Sequence, residues 1–474
     1  MNSKMSDRRG FLKGTAAMAG LAVGAIPFAN GNALASVTPG EPNTSMGVTK
    51  LGVTPDEPNI QDLLYGGRSR YETTVRIPSV GWNGATGLRN LTPLQDSIGV
   101  ITPSSYHYLV QHDMHITNID PRQHTLMIYG MVDRPLVFTM EELKRLPSVS
   151  RIHFLECTGN SGLMHYKSML HDQKLGRADL TVIQAMHGRV STSEWTGVPL
   201  SLLLKGAGVQ KQASWLVAEG ADLCRHAKSF PLAKAMDDVI VAYGQNGEAL
   251  RREQGYPLRL VVPGWQGVNN VKYVKRIKLV DKPYYLGRET SSYTNLKPNG
   301  KASWYESQVG PKSLITYPSD AHHLPERGLY EISGLAWSGR GAISRVEVST
   351  DGGRTWKDAQ LQQPVFRKAF TRFRLGWNWS GAETVIMSRC TNEYGDIQPT
   401  MLELAKLWGD QVTPHYTGEE IEHWWETAAI MEFLNNPILP WRVKPDGSVQ
   451  DALYNTLYNT NGPSKNSYYS GGKI

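Results

Sequence analysis

The chain has 474 residues, 20% of them charged and 40% hydrophobic, with a formal net charge of +7. Lys4, Arg8, Arg9 and Lys13 against Asp7 give +3 of that, leaving +4 for the rest of the chain, too little and too dispersed for a nucleic-acid surface. The three cysteines, Cys157, Cys224 and Cys390, are too few for a disulfide-stapled fold, and at least one thiol must stay unpaired.

Arg8-Arg9-Gly10-Phe11-Leu12-Lys13 precedes a mild apolar run, Gly14 to Ala29, and then the small-residue site Ala33-Leu34-Ala35. This is the pattern of a cleavable twin-arginine export signal over residues 1–35, and it predicts a periplasmic destination. Gly20, Gly24 and Pro27 break the run, which is shorter than the ~20 apolar residues of a spanning helix. No later stretch is long and apolar enough to cross a bilayer, so neither a membrane nor nucleic acid is an expected partner. The remaining ~440 residues exceed what one core usually organises, and two domains are expected.

Residues 36–75, rich in Pro, Gly, Asn and Thr, read as an N-terminal arm. Over 76–304, strand-like runs such as Leu126-Met127-Ile128-Tyr129 and Ile152 to Leu155 alternate with helical stretches. The helices are Met140 to Leu146 and the one around Pro199 to Lys205, after a turn at Trp195-Thr196-Gly197. A mixed α+β domain is predicted. Over 305–408 the texture changes to short strands, among them Tyr330 to Leu335, Arg345 to Ser349, Phe373 to Leu375 and Thr384 to Met387, with a turn at Asp351-Gly352-Gly353. That spacing predicts a β-sandwich. Residues 409–474 read as a C-terminal extension: one helix, Glu419 to Leu434, carrying Trp424 and Trp425, then an irregular tail with Tyr454 and Tyr458.

Two segments carry candidate chemistry. In Phe154-Leu155-Glu156-Cys157-Thr158-Gly159-Asn160 an apolar strand delivers a cysteine to a small-residue loop, where a thiolate could bind a soft or high-valent metal. The alternative is a buried cysteine acting as a small hydrophobe. In Gln254 to Tyr273, Arg259 and Lys272 bracket a strand and the Pro263-Gly264 turn, an arrangement suited to a phosphate or a polar heterocycle. Arg259 could equally be a solvated strand residue. No His-Glu-x-x-His or paired Cys/His spacing supports a zinc hydrolase, and no Gly-x-Ser-x-Gly elbow supports serine catalysis. Neither a haem-attachment site nor an iron–sulfur cysteine cluster is present in the sequence.

The Cys-x-Gly-Asn loop, the Gly-aromatic-Pro-x-Arg strand, the Pro-Gly turn and the Val-Lys-aromatic ending occur together, and the set resembles the sulfite oxidase family of molybdopterin enzymes over roughly residues 95–405. His187 to Val198, Gly310-Pro311-Lys312-Ser313, Ser333 to Gly339 and Ile438 to Gly447 are similar, within that family, to its SoxC group, the molybdenum subunits of Sox sulfane dehydrogenases. The resemblance implies a molybdopterin domain followed by an immunoglobulin-like β-sandwich that dimerises. It implies plain molybdopterin as cofactor, with Cys157 as the metal's sulfur ligand and Arg259 and Lys272 on the pterin and its phosphate. His112, after Ile101-Thr102-Pro103, would hydrogen-bond the cofactor, Asp222 would lie near the pterin, and Tyr293, 21 residues after Lys272, would be an active-site tyrosine. The implied reaction is oxygen-atom transfer to sulfite or to a protein-bound sulfane sulfur. Its implied partners are a c-type cytochrome, in a homodimer or heterotetramer, and a sulfur-carrier protein.

The sequence departs from the family where arginines surround the substrate anion: Val110 and Gly162 stand at two such positions, and no arginine is evident near Gly409. A small dianion would be poorly held without them, which favours sulfur presented on another protein. His165 and Lys167 are candidates for compensating charge, and the paired tryptophans and the tyrosines of the tail either for docking or, as large aromatics more often do, for packing on their own chain. The alternatives are a methionine sulfoxide reductase-like molybdoenzyme, against which residues 305–405 argue, and a periplasmic binding protein without redox chemistry.

Overall fold

The computed structural model describes residues 64–69, 71–78, 89–112, 115–162, 181–291, 293–296, 302–304, 308–400, 403–404 and 436–453. The export signal, the Glu419 to Leu434 helix with Trp424 and Trp425, and Gly409, His165, Lys167, Tyr454 and Tyr458 lie outside these residues. Packing divides the chain into two units, Met1–Thr73 and Thr74–Ile474. In the first, the described part is exposed and carries an Arg68–Glu72 ion pair at 3.3 Å. Among the described residues no helix is long and apolar enough to cross a membrane.

The first half of the second unit is built on two five-stranded sheets. One runs Glu248–Ala249, Ile240–Gln245, Val190–Pro199, Val149–Glu156, with Arg259–Val261 also paired to Ile240–Gln245. The other runs Leu136–Thr139, Thr125–Gly130, Val274–Val280, Trp215–Gly220, Ala227–Pro231, where Thr125–Gly130 and Val274–Val280 are parallel. Leu126, Ile128, Leu216 and Ile277 of the second sheet and Val198, Val241 and Leu260 of the first are all buried in one cluster, and that shared apolar area holds the sheets together. The helices are short and lie at strand ends. Met140–Arg145 starts at a capping box in which the Thr139 hydroxyl accepts from the Glu142 N–H while Glu142 accepts from Thr139. Leu200–Ala207 buries Leu200, Leu203, Leu204 and Ala207 in the same cluster.

The expected turn at Trp195-Thr196-Gly197 is instead the middle of the Val190–Pro199 strand. Gly197 is there for packing and not for turning: a Cβ on it would sit 2.1 Å from the Val241 carbonyl oxygen of the neighbouring strand. Trp195 is fully buried.

The second half is a sandwich of a four-stranded sheet, Lys312–Tyr317, Gly328–Trp337, Thr371–Trp379, Gln360–Leu361, and a five-stranded one, Lys357–Asp358, Ile343–Ser349, Thr384–Asn392, Pro440–Val443, Val449–Asp451. Two strands of the second sheet therefore come from the segment read above as an irregular tail. Trp441 and Val443 point into the core, and Gly447, at φ 83°, turns the chain back. The sandwich core does not stop at the sandwich: Phe154, Val182, Ile183, Met186 and Val190 belong to the same buried cluster as Leu314, Ile332, Trp337 and Trp441. The strand that ends at Glu156 is thus packed against the sandwich.

Candidate active site

The Val149–Glu156 strand pairs with Val190–Pro199 along its whole length, down to Glu156 opposite Val190, so the position of Cys157 is fixed by two strands. Beyond the strand end, the Cys157 N–H donates to the Arg189 carbonyl at 2.9 Å and the Asn160 N–H to the Cys157 carbonyl at 2.9 Å. Ser161 closes the loop in the left-handed region, φ 66°, with its N–H on the Met186 carbonyl at 2.7 Å. A non-glycine residue there is strained and persists only because its surroundings dictate it. Gly267 lies against this loop, and a Cβ on it would meet the Tyr108 hydroxyl at 2.9 Å, the Glu156 carbonyl oxygen at 3.0 Å and the Cys157 Cα at 3.2 Å.

The other two cysteines are placed differently. Cys390 is buried in the sandwich core, where burial pushes its thiol far up, and the Cys224 thiol donates to Asp222 at 3.0 Å. Cys157 is half-buried and opens onto a cavity of about 660 Å³, open mouth included, lined also by His112, Asp222, Arg259, Lys272 and Tyr293. All six residues singled out in the sequence meet there.

Their partners within the protein differ. Arg259 and Lys272 face each other as an antiparallel bridge. The Arg259 guanidinium is buried over the Trp195 ring at 4.9 Å and makes four hydrogen bonds, to the Gln254 carbonyl (2.9 Å) and side-chain oxygen (3.3 Å), the Leu260 carbonyl (3.3 Å) and the Asn270 carbonyl (3.3 Å). A single N–H remains for a ligand. Burial lowers its pKa to about 10, so it is a cation. Lys272 donates to the carbonyls of Val110 (3.1 Å) and Glu253 (3.0 Å) and to Gln111 Oε1 (2.7 Å). Both cations therefore clamp the segments that wall the cavity. Asp222 works on its own loop: Oδ1 accepts the His226 N–H at 3.0 Å and Oδ2 the Cys224 thiol. His112 stacks on His226, ring centroids 4.9 Å apart, and the His226 Nε2–H donates to the Val268 carbonyl at 2.9 Å. Tyr293 is buried, with the Lys228 ammonium 5.3 Å from its ring centroid.

Among the lining residues that went unnoticed in the sequence are His107 and Thr158. His107 is buried, its Nδ1–H donates to the Tyr108 carbonyl at 3.2 Å, and its Nε2 has no hydrogen-bond partner among the described residues. Burial lowers its pKa to about 3, with Arg259 and Arg76 adding to the effect, so Nε2 is an acceptor awaiting a donor. The Thr158 hydroxyl, also buried and also on the cavity, has no partner either. Buried polar atoms left this way in a cavity mark where a polar ligand completes the hydrogen bonding. Thr158 stood inside the loop motif and His107 four residues after Pro103; nothing in their spacing marked them. Val110 lines the cavity as an apolar wall and Gly162 is buried. Among the described residues no group of three or more His, Cys, Asp or Glu side chains could hold a metal by itself.

Residues 113–286 match the family profile of the oxidoreductase molybdopterin binding domain, and residues 303–416 that of the Mo-co oxidoreductase dimerisation domain. The crystal structure of the sulfane dehydrogenase SoxCD from Paracoccus pantotrophus superposes with a TM-score of 0.72 at 37% identity, covering 84% of this chain and 95% of that one. Mitochondrial sulfite oxidase of Mus musculus is 30% identical over 282 residues, 56% of this chain and 50% of that protein. The NADH nitrate reductase of Solanum lycopersicum is 30% identical over 378 residues, 72% of this chain and 39% of that protein. The chain thus spans half or less of the length of these two curated relatives.

Proposed function

Because this chain belongs to the sulfite oxidase family of molybdopterin enzymes, we propose that it is a periplasmic molybdenum oxidoreductase that oxidises sulfite or a protein-bound sulfane sulfur and passes electrons to a c-type cytochrome. The observation that carries this reading is the meeting of Cys157, His112, Asp222, Arg259, Lys272 and Tyr293 in one cavity. The residues present fit a molybdopterin. Cys157 offers a single sulfur ligand, His107 Nε2 an acceptor for a heterocycle N–H, the Thr158 hydroxyl a further polar contact, and Arg259 and Lys272 positive charge for a phosphate. When bound, the cofactor would supply oxygen-atom transfer and two-electron storage.

The protein's own contribution is holding and orienting. The two-strand pairing and the strained Ser161 fix the Cys157 sulfur, and the Asp222 loop fixes His226 and through it the stacked His112. Tyr293, which lines the same cavity, would hydrogen-bond the substrate. Among substrates, sulfur carried on a protein is favoured over free sulfite: Val110 offers no charge, and the two cavity cations already serve protein acceptors. The paired Arg8-Arg9 signal supports the periplasm. The dimerisation domain and the two-subunit relative support a dimer with a partner subunit.

The test is metal analysis of exported protein beside Cys157→Ser, with cytochrome c reduction measured on free sulfite and on a sulfane-loaded carrier protein. Molybdenum present in the parent and lost in the variant, with faster turnover of the carrier-bound sulfur, is the expected result. Intact exported protein without molybdenum would overturn the proposal, and nitrate reduction in place of sulfur oxidation would transfer it to the reaction for which the plant relatives are named.

A further inference from the structure

Segments far apart in the chain converge on one carboxylate, that of Glu156, the residue immediately before Cys157. Its Oε1 accepts from Lys312 Nζ at 2.9 Å and from Asn160 Nδ2 at 2.8 Å, and its Oε2 from Trp337 Nε1 at 2.7 Å. Lys312 and Trp337 are cross-strand neighbours at the end of the sandwich's four-stranded sheet, so the sandwich presents a cation and an N–H side by side. Lys312 donates a second bond to the Ser161 hydroxyl at 2.6 Å, and that hydroxyl pairs with His187 Nδ1 at 2.7 Å. The loop from Cys157 to the strained Ser161 is thus held at both ends by one ammonium group. Asn436 donates to the Pro311 carbonyl at 2.9 Å, just before Lys312.

The Lys312 side chain is 1% exposed and that of Glu156 7%. Desolvating two charges costs several kcal/mol per ion, and well-packed apolar residues in the same place are often as stable or more so. Joining sandwich to loop therefore does not require this pair. What the pair does supply is a fixed carboxylate whose charge is cancelled, one residue from a sulfur ligand, in surroundings where an uncancelled charge would be felt strongly.

We propose that Lys312 is a positioning residue for Cys157: through Glu156 and Ser161 it fixes the loop against the sandwich and cancels the charge of the carboxylate next to the sulfur, so that the reduction potential of a metal held there depends on the intact pair. The proposal rests on the reading of Cys157 as a molybdenum ligand.

The experiment is a redox titration, followed by the paramagnetic resonance of molybdenum(V), on the full exported protein and on Lys312→Met, Lys312→Arg, Glu156→Gln and the Lys312→Met/Glu156→Gln double variant, each with its metal content measured. Lys312→Met leaves a bare negative charge, which favours the oxidised metal and lowers the potential. Glu156→Gln leaves a bare positive charge and raises it, while the double variant and Lys312→Arg return to the parent value. A purely structural role would shift both single variants the same way or neither, and either result in metal-loaded protein overturns the proposal. Should Lys312→Met fail to accumulate, Glu156→Gln beside the double variant reads the same sign, and an unshifted Glu156→Gln overturns it. Parent protein that is exported intact without molybdenum would instead overturn the metal assignment, and this inference with it.

Discussion

On the cavity side of the Cys157 loop, His107 Nε2 and the Thr158 hydroxyl are buried with no hydrogen-bond partner among the described residues. On the sandwich side, a few residues away in the same loop, both oxygens of Glu156 are engaged by three donors and Lys312 holds Ser161 as well. Each unmade hydrogen bond at a buried group costs about 1–3 kcal/mol, so the first arrangement persists only where something else completes it. The second arrangement specifies where the loop sits. One short segment thus leaves polar atoms open on one face and is fixed in place from the other.

The comparison breaks most visibly from the sandwich side. Glu156→Ala leaves the Lys312 ammonium in the interior without its counter-charge and the Trp337 Nε1–H and Asn160 Nδ2–H without their acceptor, and removing one partner of a buried pair costs about 3–5 kcal/mol. A fall of that size in unfolding free energy, read from the denaturant midpoint of protein without cofactor, is the expected outcome. A loss of less than about 1 kcal/mol would show that the Glu156 network does not fix the loop.

The cavity side was the more legible of the two in the sequence. A strand running into Cys-Thr-Gly-Asn marks Cys157, and two cations around a Pro-Gly turn mark Arg259 and Lys272, because both patterns are local. The Glu156–Lys312 pair has no such signal: its members are 156 residues apart, and only the packing of Phe154, Val182 and Val190 into the sandwich core brings them together. Glycine misled at Gly197, where the requirement was a close cross-strand approach and not a turn. The strands Pro440–Val443 and Val449–Asp451 were hidden because each is short and starts or ends beside Pro, Asp or Gly. Which hydrogen bonds Arg259 makes was equally invisible, since three of its four acceptors are backbone carbonyls that carry no residue code.

Acid probes both faces at once, since each carries a buried neutral histidine, His107 on the cavity and His187 against Ser161. Burial lowers the His107 pKa to about 3 and that of His187 well below its ordinary value, in the second case with help from Lys312 and Arg189. Both folded values lie below the unfolded one of 6.5, so between them the unfolded chain binds protons that the folded chain refuses. The stability so contributed is fully present above pH 6.5 and is lost as the pH falls from there toward 3. For His107 alone the loss from pH 7 to pH 5 is about 2 kcal/mol. The melting temperature should fall over that range, and His107→Gln should reduce the fall by that amount; an unchanged pH slope in the variant would mean that His107 titrates normally in the fold.

The smallest effect separates the two faces most cleanly. Thr158→Ala deletes a hydroxyl that has no partner among the described residues, so without cofactor its removal should change stability by less than about 0.5 kcal/mol and could even raise it, because an unsatisfied buried polar group is traded for an apolar one. With cofactor the balance reverses, since the deleted group is one that the ligand would complete. The expected pair of results is an unchanged denaturant midpoint in the empty protein and faster loss of molybdenum from the loaded one on dilution. A midpoint that falls by more than about 1 kcal/mol in the empty protein would mean that Thr158 is bonded within the chain. The cavity face would then be as closed as the sandwich face, and the contrast from which the ligand reading draws its strength would be gone.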